Sequence, residues 1–125
     1  MTAKRVLSLG QCGADHWSIE NLLQRHCDAL VVGVATFDEA LTELRRGGVD
    51  LALVNRLMNY GGASGLDFIA ELKRDPELSK IPVMLVSNLR DAQRQAVELG
   101  ALPGFGKAAL NDPATLERLR GVLGD

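Results

Sequence analysis

The chain has 125 residues, of which 46% are hydrophobic and 24% charged, and its formal net charge is −2. This length and composition predict one globular domain over residues 1–125, large enough for a buried core. The small net charge gives no electrostatic case for nucleic acid as a partner. No apolar run reaches the roughly 20 residues that a membrane span requires, so no membrane partner is expected. The N-terminus lacks the apolar stretch and cleavage site of a signal peptide, which predicts a cytoplasmic location.

Short apolar runs alternate with segments of helical periodicity, the pattern of a parallel sheet covered by helices. In chain order, strands are predicted over 6–9, 30–34, 50–55, 81–86 and 102–106. Asp15 is predicted to cap the first helix, and Thr36 and Glu39 form a capping-box pattern that opens the second. The predicted fold class is therefore α/β, a three-layer doubly wound (βα)5 arrangement with a five-stranded parallel sheet.

The later elements have local signals for their ends. Asp75-Pro76 is predicted to end the third helix, because a residue before proline is disfavoured in the helical conformation. A fourth helix is predicted over 91–99, and Pro113 suits the first turn of the last helix. The fifth strand is weak, since it contains a proline and two glycines.

Polar side chains stand where three successive strands end. Asn55 follows the third strand, Ser87 the fourth and Lys107 the fifth. The carboxyl ends of parallel strands meet at one edge of the sheet, where such folds place their functional crevice. We therefore expect these three side chains to lie together, close to the loop over 10–12.

A set of short motifs spans the chain from Lys4 to Leu123. In order, they are the strand over 50–54 with Met58 and Gly65 behind it, the strand over 81–86 that ends at Ser87, Gly100-Ala101, and Lys107. Together they resemble the receiver domain of two-component response regulators. The resemblance implies a flavodoxin-like receiver fold and a role in signal transduction. In that family an aspartate after the third strand accepts a phosphoryl group, and an acidic pair after the first strand binds Mg²⁺.

The residues that would carry this chemistry are replaced. Gly10 and Gln11 occupy the metal-binding positions, and Asn55 occupies the phosphate-accepting position. Mg²⁺ is usually held by one or two carboxylates, and a neutral carboxamide is a poor nucleophile. The resemblance therefore implies a pseudo-receiver with no metal, no cofactor and no enzymatic activity.

Further departures lie in the loops around this site. The loop between Asn55 and Gly65 is longer than the family's usual spacing, and Asn59 replaces a common proline in it. Ala108 stands where family members usually have a cis-proline, and Gly104 aligns with the family's switch aromatic, although Phe105 is adjacent. With no acidic partner in view, Lys107 is expected to bond to the amide oxygen of Asn55, ahead of binding an anion with Ser87.

The leading hypothesis is a phosphorylation-independent protein–protein interaction module that binds a signalling partner or itself. The candidate face comprises the fourth helix, the fifth strand and the fifth helix, with Arg90, Arg94, Phe105 and Asn111. Two alternatives remain open. One is a receiver phosphorylated at a non-standard residue, such as Ser87, within a phosphorelay. The other is a small-ligand-binding flavodoxin-like domain that uses the enlarged loop after Asn55 as a pocket wall.

Overall fold

The computed structural model describes residues 4–58 and 62–124. The helices and strands are β1 Lys4–Leu9, α1 Gly13–Cys27, β2 Ala29–Val34, α2 Phe37–Arg46, β3 Leu51–Asn55, α3 Gly65–Arg74, β4 Val83–Val86, α4 Arg90–Leu99, β5 Leu102–Phe105 and α5 Pro113–Leu123. A short 3-10 turn, Lys107–Ala109, connects β5 to α5. Within the described ranges, every helix is too short or too polar to cross a lipid bilayer.

The five strands form one sheet in the order β2-β1-β3-β4-β5, and all neighbouring strands are parallel. One buried cluster lies between the sheet and α2, α3 and α4, and a second lies between the sheet and α1 and α5. This arrangement confirms the predicted three-layer α/β fold. The strand order places the ends of β3, β4 and β5 side by side at the carboxyl edge.

The interior strand β4 contributes to both clusters, because successive side chains of a strand point to opposite faces. Val83 and Leu85 pack with α2, α3 and α4, whereas Met84 and Val86 pack with α1 and α5. Burial on both faces explains the continuous apolar run in the sequence. The strand begins later than predicted, after Pro82, which has no amide hydrogen to give to the ladder.

The predicted start of α2 is confirmed at atomic detail. The backbone nitrogen of Glu39 donates to the Thr36 hydroxyl oxygen at 3.2 Å. The Glu39 carboxylate in turn accepts from the backbone nitrogen of Ala35 at 3.3 Å, one residue before the usual partner in a capping box. The prediction that Asp15 caps α1 is wrong, since the helix begins at Gly13 and Asp15 lies within its first turn.

Strand β5 contains a bulge. Met84 pairs with Leu102 and Val86 pairs with Phe105, so β5 has one more residue than β4 between these two pairs. Gly104 lies in this bulge, where an added Cβ would collide with the carbonyl oxygen of Leu85. The extra residue turns Phe105 toward the cluster under α1 and α5, where it is only 3% exposed.

Candidate functional site

Asn55, Ser87 and Lys107 line a common cavity of about 350 Å³ at the carboxyl edge of the sheet. Asn55 is the last residue of β3, Ser87 directly follows β4, and Lys107 opens the turn after β5. Their proximity is a consequence of strand order, because β3, β4 and β5 are adjacent and parallel. The structure therefore brings together the three residues that the sequence pattern singled out.

The amide of Asn55 is used inside the protein. Its Nδ2 donates to the carbonyl oxygen of Gly10 at 3.0 Å and to that of Leu57 at 2.6 Å. These bonds tie the loop after β1 to the loop after β3. An ionised carboxylate has no hydrogen to donate, so an aspartate could make neither bond. Asn55 thus serves as a donor that holds two loops together.

Lys107 forms an ion pair with Asp15, with 2.6 Å between Nζ and Oδ2. The prediction that Lys107 bonds to Asn55 is wrong, because the first turn of α1 brings a carboxylate to the same edge. The hydrogen bond from Lys107 holds the pKa of Asp15 below its ordinary value, while desolvation by burial opposes this shift. A hydrogen bond with Cys12 and the charge of Lys107 lower the pKa further.

Sequence reasoning missed Asp15 as a site residue. It assigned Asp15 to the helix cap and so left Lys107 without an acidic partner. A usable signal was present: the amino end of a helix that follows β1 faces the carboxyl edge of the sheet. An acid in its first turn therefore lies on the same side as the residues that end the other strands.

Gly10 and Gln11, which the resemblance assigns to metal-ligand positions, have different surroundings. Gly10 has a φ of 78°, and an added Cβ would collide with the side chain of Met58. The side chain of Gln11 borders another cavity, near the ends of β1 and β2. Among residues 4–58 and 62–124, no group of three or more His, Cys, Asp or Glu is arranged to hold a metal ion.

Ser87 is 7% exposed and belongs to the turn between β4 and α4. Its hydroxyl oxygen accepts from the backbone nitrogen of Leu89 at 3.1 Å. Its own backbone nitrogen donates to the carbonyl oxygen of Phe105 at 2.9 Å. The neighbouring Asn88 accepts from the backbone nitrogen of Ala108 at 3.0 Å, which fixes the turn that carries Lys107.

No protein-family model matches the sequence, and no curated protein matches it either. Solved structures do match. A response regulator from Thermotoga maritima has a TM-score of 0.78 and 23% identity, over 99% of this chain and 100% of that one. The signal receiver domain of a DNA-binding response regulator from Colwellia psychrerythraea 34H has a TM-score of 0.81 and 19% identity, over 98% and 99% of the two chains. The chain has the receiver fold.

A third match bears on the chemistry of other proteins with this fold. It is a response regulator protein from Burkholderia pseudomallei, solved with a phosphorylated aspartic acid, a calcium ion and citrate. Its TM-score is 0.70 and its identity 21%, over 96% of this chain and 66% of that one. At these levels of identity the likeness establishes the fold.

On this receiver fold, α4, β5 and α5 border an open groove of about 930 Å³. Arg90 and Arg94, which were proposed for the interaction face, are among its lining residues. Phe105 also borders the groove, but it is only 3% exposed and so presents little surface to a partner. Asn111 is misplaced, since it lies beside Trp17 in a small cavity between α1 and the turn before α5.

Gln93 is a second residue that sequence reasoning missed. Its Nε2 donates to the carbonyl oxygens of Leu85 at 2.9 Å and Ser87 at 3.0 Å, and its Oε1 accepts from the backbone nitrogen of Gly104 at 3.2 Å. Arg118 adds a donor to the carbonyl oxygen of Gly104 at 2.7 Å. These side chains supply bonds where the bulge interrupts the ladder. The sequence held one indication of this role. The fifth strand has a low strand propensity, so its backbone needs hydrogen-bond partners from side chains elsewhere.

Proposed function

We propose that the chain is a signalling protein of the response-regulator type that acts without phosphorylation, as a protein–protein interaction module. The observation that supports this proposal is how Asn55 and Lys107 are bonded in the cavity at the carboxyl edge of the sheet. The amide nitrogen of Asn55 donates to two backbone carbonyls, and the charge of Lys107 is neutralised by Asp15. Phosphoryl transfer needs a nucleophile and positive charge to stabilise the transition state. This site offers a neutral amide and a lysine that is already paired.

Intact-protein mass measurement after incubation with acetyl phosphate and Mg²⁺ tests the first half of the proposal. An active receiver domain treated in parallel serves as the positive control. We expect no phosphoryl adduct on this chain while the control is labelled. A stoichiometric adduct would contradict the proposal, and mapping it would identify the acceptor.

The variant Asn55→Asp sharpens this test. It restores a carboxylate at the end of β3 but leaves Gly10 and Gln11 without charge, so the metal that receivers need still lacks ligands. We expect the variant to remain unlabelled. Efficient labelling of Asn55→Asp would mean that the wild-type chain lacks only a nucleophile.

The proposed partner surface is the groove bordered by α4, β5 and α5. Val97 lines this groove and is 44% exposed. Arg90 lines the groove, and it forms no ion pair with any residue of the described ranges. The buried centre of a protein interface is largely apolar, and arginine is the charged residue that is enriched there. An exposed aliphatic side chain close to arginine fits that description. A signalling protein or a second copy of the chain would bind here.

The two alternatives receive less support. A phosphoacceptor role for Ser87 requires an accessible hydroxyl, whereas this one is buried and holds the turn before α4. The small-ligand alternative relied on the enlarged loop after Asn55. Asn59 and Gly61 of that loop lie outside the described residues. The mass experiment above also tests the Ser87 alternative, because any adduct would be mapped.

A further inference from the structure

A separate cavity of about 310 Å³ lies between the carboxyl ends of β1 and β2, beside the first turns of α1. It is lined by residues from β1, the following loop, α1, β2 and the start of α2, among them Ser8, Gln11, His16, Gly33 and Glu39. It shares no lining residue with the cavity of Asn55, Ser87 and Lys107. Its volume is at the lower end of the range of about 300–1,000 Å³ found for ligand pockets.

Three buried polar atoms around this cavity have no hydrogen-bond partner among the described residues. They are the hydroxyl oxygen of Ser8 and both polar atoms of the Gln11 carboxamide. Ser8 is only 1% exposed, so its hydroxyl is removed from bulk water. Buried polar groups in folded proteins are almost always paired, and leaving them unpaired costs stability. Unpaired buried atoms of this kind require an explanation, and a bound water or ligand is one.

The sheet is built to leave this space open. Ser8 interrupts the apolar face of β1 and pairs in register with Gly33 of β2. An added Cβ at Gly33 would come within 2.8 Å of the His16 ring, so the glycine leaves room for the imidazole above the sheet. Apolar side chains at these two positions would extend the core that Val6 and Val31 form nearby. The sequence instead supplies a hydroxyl, a glycine and an imidazole.

The charges around the cavity restrict what it can bind. The Glu39 carboxylate forms part of the wall and accepts from the backbone nitrogen of Ala35 and the hydroxyl of Thr36. A negative charge held at this point disfavours an anionic ligand such as phosphate. The unpaired groups of Ser8 and Gln11 are neutral, and each offers both a donor and an acceptor. A neutral polar ligand satisfies them without burying a further charge.

We propose that this cavity binds a small neutral planar molecule that carries a hydrogen-bond donor beside an acceptor, the pattern shared by nucleobases and primary amides. The Gln11 carboxamide presents a donor and an acceptor side by side and pairs with such an edge at two points. The Ser8 hydroxyl adds a third bond. Gly13 adds a stretch of wall without a side chain, and the His16 imidazole lies over Gly33 as a flat neighbour for a ring. This binding function is independent of the interaction role proposed above.

Nuclear magnetic resonance titration of the ¹⁵N-labelled chain tests the proposal, with adenine, uracil and nicotinamide as probes and toluene as an apolar control. We expect saturable shifts of backbone amides over 8–16 and 33–39 with at least one polar probe, and none with toluene. A preference for adenine or uracil assigns a nucleobase, and a preference for nicotinamide assigns a primary amide. No saturable shift up to about 5 mM of any probe would leave a site that holds water only, and would overturn the proposal.

Variants connect the binding to the unpaired atoms. We expect Gln11→Leu to weaken binding at least tenfold, whereas Gln95→Leu, on the exposed side of α4, leaves it unchanged. Ser8→Ala should also weaken binding without lowering the melting temperature of the free chain, because the hydroxyl has no protein partner to lose. Equal binding by wild type and Gln11→Leu would overturn the proposal, even if a probe binds elsewhere on the chain.

Discussion

Asn55 holds the loops after β1 and β3 through two hydrogen bonds from one amide nitrogen. We expect Asn55→Asp to lower the free energy of unfolding by about 1–3 kcal/mol at neutral pH, because a carboxylate would face two carbonyl oxygens that have lost their donor. The loss should shrink as the pH falls, since a protonated carboxyl can donate again. Urea denaturation across pH measures both effects.

The exposed Asn111→Asp is the matched control for that experiment, since it adds the same charge without removing a buried donor. Its stability should stay close to that of the wild type. If Asn55→Asp were equally stable, the bonds to Gly10 and Leu57 would contribute nothing, and the structural role assigned to Asn55 would be wrong.

The ion pair of Asp15 and Lys107 predicts a specific dependence of stability on pH. The pKa of Asp15 is lowered in the folded chain, so the pair stabilises the fold above the ordinary carboxyl pKa. That contribution is lost as the pH falls through the lowered value. Both side chains are partly exposed, which limits the pair to about 0.2–1 kcal/mol at neutral pH.

A double-mutant cycle with Asp15→Asn and Lys107→Met isolates this energy. The coupling between the two substitutions should be present at neutral pH and absent in strong acid, and high salt should reduce it. Coupling that persists in acid would show that the two side chains interact through packing and not through charge.

At the scale of the elements, β5 depends on α4 for its backbone bonds. Gln93 bonds to backbone groups on both sides of the bulge. We expect Gln93→Leu to lower the free energy of unfolding by about 1–3 kcal/mol. Leucine is similar in size to glutamine, but it leaves several backbone groups without a hydrogen-bond partner. The amide hydrogens of Leu102, Gly104 and Phe105 should exchange faster in the variant, as hydrogen–deuterium exchange would measure. Gln95→Leu, on the exposed side of the same helix, should change neither quantity.

Capping residues and prolines in the sequence predicted where helices begin and end. Contacts between residues far apart in the chain could not be predicted in this way. Thr36, Pro76 and Pro113 act on neighbouring residues, so their effects on helices could be predicted from the chain alone. The bulge in β5 is a different case, because it depends on how Gly104 meets Leu85 and Gln93 after the sheet has formed. A weak strand could be predicted, but not which of its side chains would turn inward.

For the whole molecule, strand order explains which parts of the site were predictable. Once a parallel sheet was inferred, the carboxyl ends of its strands had to lie at one edge, and the order β3-β4-β5 then brought Asn55, Ser87 and Lys107 together. The partner of Lys107 was not predictable in the same way, since Asp15 reaches it from another element. The low exposure of Phe105 was not predictable either, because it depends on the bulge in β5. The order of the strands therefore predicts which side chains lie near one another. The strand register, and the side of a helix on which a residue lies, determine which of them make contact.

The proposed partner surface predicts how association responds to charge. If the groove of α4, β5 and α5 mediates binding, Val97→Asp should weaken self-association or retention of a copurifying protein at least tenfold, because a carboxylate would lose its hydration in the interface. Leu30→Asp is the matched control, since Leu30 is 50% exposed on β2, at the opposite edge of the sheet. Sedimentation velocity over a range of concentrations, with mass analysis of copurifying protein, measures both forms of binding. A strict monomer without a partner, or equal sensitivity to Leu30→Asp, would contradict an interaction role for this face.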